Sequence, residues 1–294
     1  MNVYEETKLI LQKYKIQANK SLGQNFLIND EVIEKIIDSA NIDKNDLIIE
    51  IGPGLGVLTN RLLQKSNNVI AVELDKKMVE ILSDRFYNNI NNSKACKLEI
   101  INEDILKIDL KKLISDKKLN ENINKVKVVA NLPYYISTPI IMKLLENRLD
   151  IDEIIVMVQK EVAKRLTAKT GTRIAGSITY IIEYYAEAMS IVEVSKESFI
   201  PSPKVESEVI KLKVRDNPKV EVKDEKLLFN VIQKSFMQRR KTLLNALVNN
   251  NIIKEKIEVE NMCKELGIET NVRGESLTLE KFCDISNYIS DKYN

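Results

Sequence analysis

The stretch "LIIEIGPGLGVLTNRLLQ", residues 47–64, decides how the chain is read. It begins as a short, β-branched apolar run. It then crosses Gly52, Gly54 and Gly56, and ends with apolar residues at helical spacing. A strand that passes through a glycine-rich turn into a helix is the opening of a β-α-β unit. The alternation continues downstream. "VIAVELD" (69–75), "LEIINEDI" (98–105), "VKVVANL" (126–132) and "EIIVMVQ" (153–159) are further apolar runs, separated by helical patterns such as "KKMVEILSDRF". This predicts a mostly parallel sheet with helices on both faces. In such sheets a ligand sits beyond the carboxyl ends of the strands, so the residues that end each strand carry the functional information.

Outward from that core, "VIKLKV" (209–214) reads as one more strand after the proline-rich "FIPSPKVES", and "RDNPKVEVKDEK" marks a boundary. From about residue 225 the tail is helical, with Leu227, Leu228, Val231, Ile232, Phe236, Leu243, Leu244, Leu247 and Val248 in phase. The expected division is a larger domain over 1–215, whose first 45 residues form an N-terminal extension, and a helical domain over 216–294. A chain of 294 residues fits two domains.

Composition excludes several chemistries. There is no histidine, which removes Ser-His-Asp and Cys-His catalysis and histidine-ligated metals. Cys96, Cys263 and Cys283 are far apart and form no CxxC pair. No metal site and no disulfide framework is expected, and a reducing cytoplasm fits best. The N-terminal "MNVYEETKLILQKYKI" reads as an amphipathic helix rather than a signal peptide or transit peptide, and no window has the length of a membrane span. The net charge of +2 means that any nucleic-acid contact must come from local patches.

The strand ends narrow the ligand. Gly52, Gly54 and Gly56 allow close backbone approach, although a tight strand-helix connection would use them equally. The dinucleotide fingerprint requires a glycine at position 57, which is Val57. Glu73 follows Gly52 at the spacing of a ribose-binding acid; Asp75 is the better helix cap. Asp104 could accept from the exocyclic amine of an adenine or simply cap a turn. The set suggests an adenosine cofactor without a pyrophosphate, S-adenosylmethionine, with NAD the weaker alternative. In "NLPYY" (131–135), Pro133 fixes its own φ and extends Leu132, so the Leu132 carbonyl and the Asn131 side-chain oxygen form two adjacent acceptors. Two acceptors suit an exocyclic NH2, and Tyr134 can stack on an extruded base. The bland reading is a loop Asn and Pro after a strand.

"SLGQNFL" (21–27), "IEIGPGLG" (49–56), "VELD" (72–75), "NEDIL" (102–106), "NLPYYIST" (131–138), "QKEVAKRL" (159–166) and "FIPSPKVES" (199–207) fall in order. In this the chain closely resembles the small-subunit ribosomal RNA adenine dimethyltransferases. The resemblance implies a Rossmann-like α/β methyltransferase fold with a helical C-terminal domain that recognises RNA. It implies methylation by S-adenosylmethionine of two adjacent adenosines near the 3′ end of 16S rRNA, in the 30S subunit, by a monomeric protein. It implies that the N-terminal extension closes over the cofactor. Asn25, Leu27, Gly52, Gly54, Glu73, Asp104 and Asn131 are the implied cofactor contacts. Asn131, Leu132, Pro133 and Tyr134 form the target-base motif, and Phe199 is a second aromatic near that base or a core residue. Lys13, Lys15 and Lys20, and the group Lys234, Arg239, Arg240 and Lys241 on a C-terminal helix, are candidate RNA contacts or solvated faces. The sister family of 23S rRNA adenine methyltransferases of the macrolide-resistance type shares the fold. Leu132, "QKEVAKRL" and "QRRKTLLNAL" (238–247) favour the small-subunit family. A non-catalytic ribosome-assembly factor of the same fold is the binding-only alternative. A transcription factor of the fold's mitochondrial branch is a further one, which the missing transit peptide disfavours.

Overall fold

The computed structural model describes residues 1–19, 22–91, 97–238 and 240–293. Lys20, Arg239 and Cys96 lie outside the described residues. Nine strands occur among those described: β1 (Phe26–Leu27), β2 (Leu47–Ile51), β3 (Asn68–Glu73), β4 (Lys97–Asn102), β5 (Val126–Asn131), β6 (Glu153–Gln159), β7 (Ala186–Val194), β8 (Phe199–Ile200) and β9 (Ser207–Val214).

Seven of them form one sheet in the order β4-β3-β2-β5-β6-β9-β7. From β4 to β6 every pairing is parallel, and β9 runs antiparallel to β6. The apolar runs explain the order. All five residues of β2 are buried and so are the first five of β5, as required of central strands covered on both faces. The register aligns the strand ends: Ile51 pairs with Val72, Glu50 with Val129, and Glu73 with Asn102. The turn after β2 and the exit from β5 are thereby gathered at the carboxyl end of the sheet. Gly56 shows why the turn is glycine-rich. Its φ is +78°, and a Cβ there would stand 2.7 Å from both Leu82 and Phe86 side chains.

Two compact units are present. One contains residues 1–163 and 189–214, the other 164–188 and 215–294. The segment 164–188 thus differs from the expected division, which put it in the larger domain. The second unit is helical. Tyr180, on the helix Ser177–Tyr185, is fully buried, donates its hydroxyl to the Leu277 carbonyl at 2.6 Å, and meets Phe282 edge-on at 5.1 Å. Those contacts, internal to the unit, draw 164–188 into it. Of the tail residues in phase, Leu228, Val231, Ile232, Leu243 and Leu247 are buried. No described helix is long and apolar enough to cross a membrane.

Candidate active site

One cavity lies beyond the carboxyl ends of β2, β3 and β5. Asn25, Leu27, Gly52, Gly54, Glu73, Asp104, Asn131, Leu132, Pro133 and Tyr134 all line it. Phe199 does not. It is 3% exposed, within the hydrophobic core, and faces Leu27 across the antiparallel pair β1–β8. The ladder that seats Leu27 at the cavity holds Phe199 behind it.

Glu73 ends β3 at the cavity wall and is 7% exposed. Its carboxylate accepts the Gly54 N–H at 3.1 Å and the Asp75 N–H at 2.8 Å. Burial pushes its pKa up, and those two backbone donors oppose the shift. A carboxylate has about four acceptor positions, so two remain for a ligand such as a ribose diol. Asp75 caps the helix Lys76–Arg85 through the Lys77 N–H at 2.9 Å, as expected of it. Asp104 accepts the Leu106 N–H at 2.9 Å with one oxygen, so its turn role is realised, and it remains on the cavity wall.

Asn131 ends β5. Its Nδ2 donates to the Asn25 carbonyl at 3.2 Å, which leaves Oδ1 as the acceptor. Pro133 has φ −58° and ψ 127°, and a single 3-10 turn, Tyr134–Ile136, follows. Leu132 is buried and lines the cavity beside Pro133. The Tyr134 hydroxyl bonds Ser207 Oγ at 2.5 Å, which fixes the ring, and burial raises its pKa.

The basic candidates are less assembled. Lys13 pairs with Asp84 at 2.8 Å and with the Tyr14 hydroxyl. Lys15 is exposed at φ +50°. The helix Glu225–Met237 carries Lys234 but ends before Arg240 and Lys241. Those two exposed residues therefore sit in the connection to the next helix, Leu243–Asn249, not on one helical face. Among the described residues no group of three or more metal-ligating side chains occurs.

Sequence reasoning missed Glu50. It lines the cavity, is 1% exposed, and accepts the Thr59 hydroxyl at 2.6 Å. Burial pushes its pKa up to about 8, and the neighbouring Glu73 charge adds to the rise. The signal was present as an acid inside an otherwise apolar strand. Gln24 and Tyr135, within quoted motifs but without assigned roles there, also line the cavity.

The family model for ribosomal RNA adenine dimethylase matches residues 15–291. The chain belongs to the ribosomal RNA adenine dimethylase family. It is 43% identical over 290 residues to the ribosomal RNA small subunit methyltransferase A of Alkaliphilus oremlandii, covering 98% of this chain and 97% of that one. It is also similar to a dimethyladenosine transferase structure from Plasmodium falciparum, with a TM-score of 0.72, 25% identity, and coverage of 88% and 95%. A 23S rRNA methyltransferase structure, ErmE, matches with a TM-score of 0.66 at 20% identity over 90% and 100% of the two chains, a likeness of fold alone. The 23S alternative is therefore not favoured. The protein is an S-adenosylmethionine-dependent rRNA adenine dimethyltransferase of Rossmann-like fold. The dimethylase cavity fits that cofactor chemically. Two buried acids, Glu50 and Glu73, line it without an ion-pair partner among the described residues; burial raises the pKa of both, and a cationic ligand would draw them toward the charged form.

Proposed function

We propose that this dimethylase transfers four methyl groups to the N6 amines of two adjacent adenosines near the 3′ end of 16S rRNA, acting as a monomer in the cytoplasm on the small ribosomal subunit during its late biogenesis. The observation that carries the reading is the orientation of Asn131. Its Nδ2 donates to the Asn25 carbonyl and the residue lines the cavity, so Oδ1 is the group left to accept there.

When bound, S-adenosylmethionine supplies an electrophilic methyl on a sulfonium. Glu73 would accept from its ribose hydroxyls, and the side chain of Asp104 from its adenine amine. Asn25, Leu27, Gly52 and Gly54 shape the remaining wall. Asn131 Oδ1 and the Leu132 carbonyl each accept one hydrogen of the target N6 amine. An adenine N6 lone pair is delocalised into the ring, and two fixed acceptors draw the nitrogen toward a tetrahedral geometry that frees it to attack. Pro133 holds the Leu132 carbonyl in place, and Tyr134, anchored by Ser207, stacks on the base. The amine loses its proton after transfer, so no strong general base is required, in keeping with a chain that has no histidine. Phe199 enters this scheme as support for Leu27 rather than as a stacking partner. The exposed Arg240 and Lys241 are offered as phosphate contacts, with salt-dependent binding as their signature.

The test supplies radiolabelled S-adenosylmethionine with unmethylated small subunits and, separately, large-subunit RNA, followed by digestion to nucleosides. Label in N6,N6-dimethyladenosine from the small subunit alone is expected. Label in large-subunit RNA instead would overturn the substrate assignment.

A further inference from the structure

Gln24 lies in the turn that leads into β1, and its side chain is engaged on both sides. Nε2 donates to Asp75 Oδ2 at 2.8 Å, and Oε1 accepts the Asn19 N–H at 2.8 Å. The Asn19 carbonyl in turn accepts the Leu22 and Gln24 N–H groups at 3.2 and 3.3 Å. A carboxamide spent in this way is poorly placed to be a ligand. It is well placed to set the position of its neighbours.

Those neighbours lead to two residues of the cavity lining, Glu73 and Asn131. On one side, Asp75 caps the helix Lys76–Arg85 and donates its own N–H to Glu73 Oε1 at 2.8 Å. On the other, the residue after Gln24 is Asn25, whose carbonyl receives the Asn131 Nδ2 at 3.2 Å. One side chain therefore links the carboxylate at the end of β3 to the amide at the end of β5. The adjoining Gly23 adds a third point. A Cβ on it would stand 3.5 Å from the Tyr135 ring, so the turn rests on the motif that follows β5.

We propose that Gln24 is a positioning residue that latches residues 22–25 to Asp75 and thereby fixes both Glu73 and Asn131 at their working positions. The roles of those two residues are taken from the function proposed above; the latch itself stands on the hydrogen bonds. Asp75 is the charged group facing the Gln24 carboxamide, with Glu73 behind it on β3. Lys76 and Lys77, next along the helix, are exposed.

Gln24→Glu and Gln24→Ala separate a latch from a residue that merely packs. Amide hydrogen exchange over residues 22–27 is followed in the cofactor-free protein, and affinity for S-adenosylhomocysteine is followed by calorimetry at pH 5.5 and 8. In Gln24→Ala, exchange speeds up and affinity falls about tenfold at both pH values, the worth of one charge-assisted hydrogen bond. In Gln24→Glu, the Nε2 donor to Asp75 is replaced by a second carboxylate, and exchange and affinity change by at least as much as in Gln24→Ala. Wild-type exchange and affinity in either variant overturns the latch. Neither readout involves RNA, so failure of the substrate assignment would leave this result intact.

Discussion

Buried charge is treated in opposite ways at the two ends of the sheet. At the amino end, Lys127 on β5 is 2% exposed, and every close neighbour answers its charge. It pairs with Asp46 at 2.8 Å and donates to the Ala40 and Asn41 carbonyls at 2.9 and 2.7 Å. Lys211 and Glu153 pair alongside at 2.7 Å. At the carboxyl end, Glu50 and Glu73 are just as deeply placed, yet among the described residues neither has a cation beside it. Hydroxyl and backbone donors hold them instead. A buried charge is costly unless paired. The amino end settles that cost within the chain and is architecture. The carboxyl end has no such cation among the described residues; burial raises the pKa of both acids instead, Glu50 to about 8, and a cationic ligand is what would draw them toward the charged form.

The largest effect tests whether the carboxyl end is chemical. Asn131→Ala removes one of two proposed acceptors for the target amine. Turnover should fall about 10²–10³-fold, the usual cost of a preorganised donor or acceptor at a reacting group, with small-subunit binding nearly unchanged. Wild-type turnover would remove Asn131 from the chemistry. Next is the amino end. Lys127→Met leaves Asp46 buried without its cation and should cost about 3–5 kcal/mol in urea unfolding. Adding Asp46→Leu should recover part of that loss, because the pair is then replaced by apolar groups. Cofactor affinity of the folded fraction should stay at the wild-type value; a large loss would mean that the amino end is not merely architectural.

Much of this contrast was legible in the sequence, and the rest was hidden for definite reasons. The five parallel strands were readable because central strands are continuous apolar runs. The cavity residues were readable because a parallel sheet collects its strand ends. β7, with its mixed "AEAMSIVEV", lacks both signals: it is largely uncovered, and its alternation is broken. The β1–β8 pair is two residues long on each side and joins segments more than 170 positions apart, so no local pattern announces it. That hidden ladder is why Phe199 reads as a second aromatic at the base and folds as core. Lys127 in "VKVVANL" and Glu50 in "LIIEI" look like ordinary interruptions of apolar strands. Only the register shows that one meets Asp46 and the other meets a cavity.

Glu50 gives the comparison a pH axis. Its pKa stands at about 8 in the folded protein against an ordinary value of 4.5. Between those values the folded state keeps a proton that the unfolded chain releases. The associated stability is therefore full below about pH 4.5, falls as pH rises, and is lost above pH 8. Glu50→Gln cannot titrate and can still accept from Thr59. Relative to wild type, the variant should gain about 3 kcal/mol between pH 5 and pH 8 in urea midpoints, since groups common to both proteins cancel. A difference that does not move with pH would show that Glu50 is already ionised in the folded cavity.

Glu73→Ala produces the smallest change and separates the two ends most directly. Its carboxylate is held by two backbone N–H groups, and both can turn to water in a cavity open to solvent. Removing an acid that lacks a cation also removes its desolvation cost. The two consequences oppose each other, so folding stability should change by no more than about 1 kcal/mol. Cofactor affinity should fall ten- to thirtyfold by calorimetry, about 1.4–2 kcal/mol for lost ribose contacts. Unchanged affinity would reject the ribose role. A stability loss as large as that of Lys127→Met, with affinity intact, would place Glu73 with Lys127 as a strut of the sheet, and the difference between the two ends would collapse to Glu50 alone.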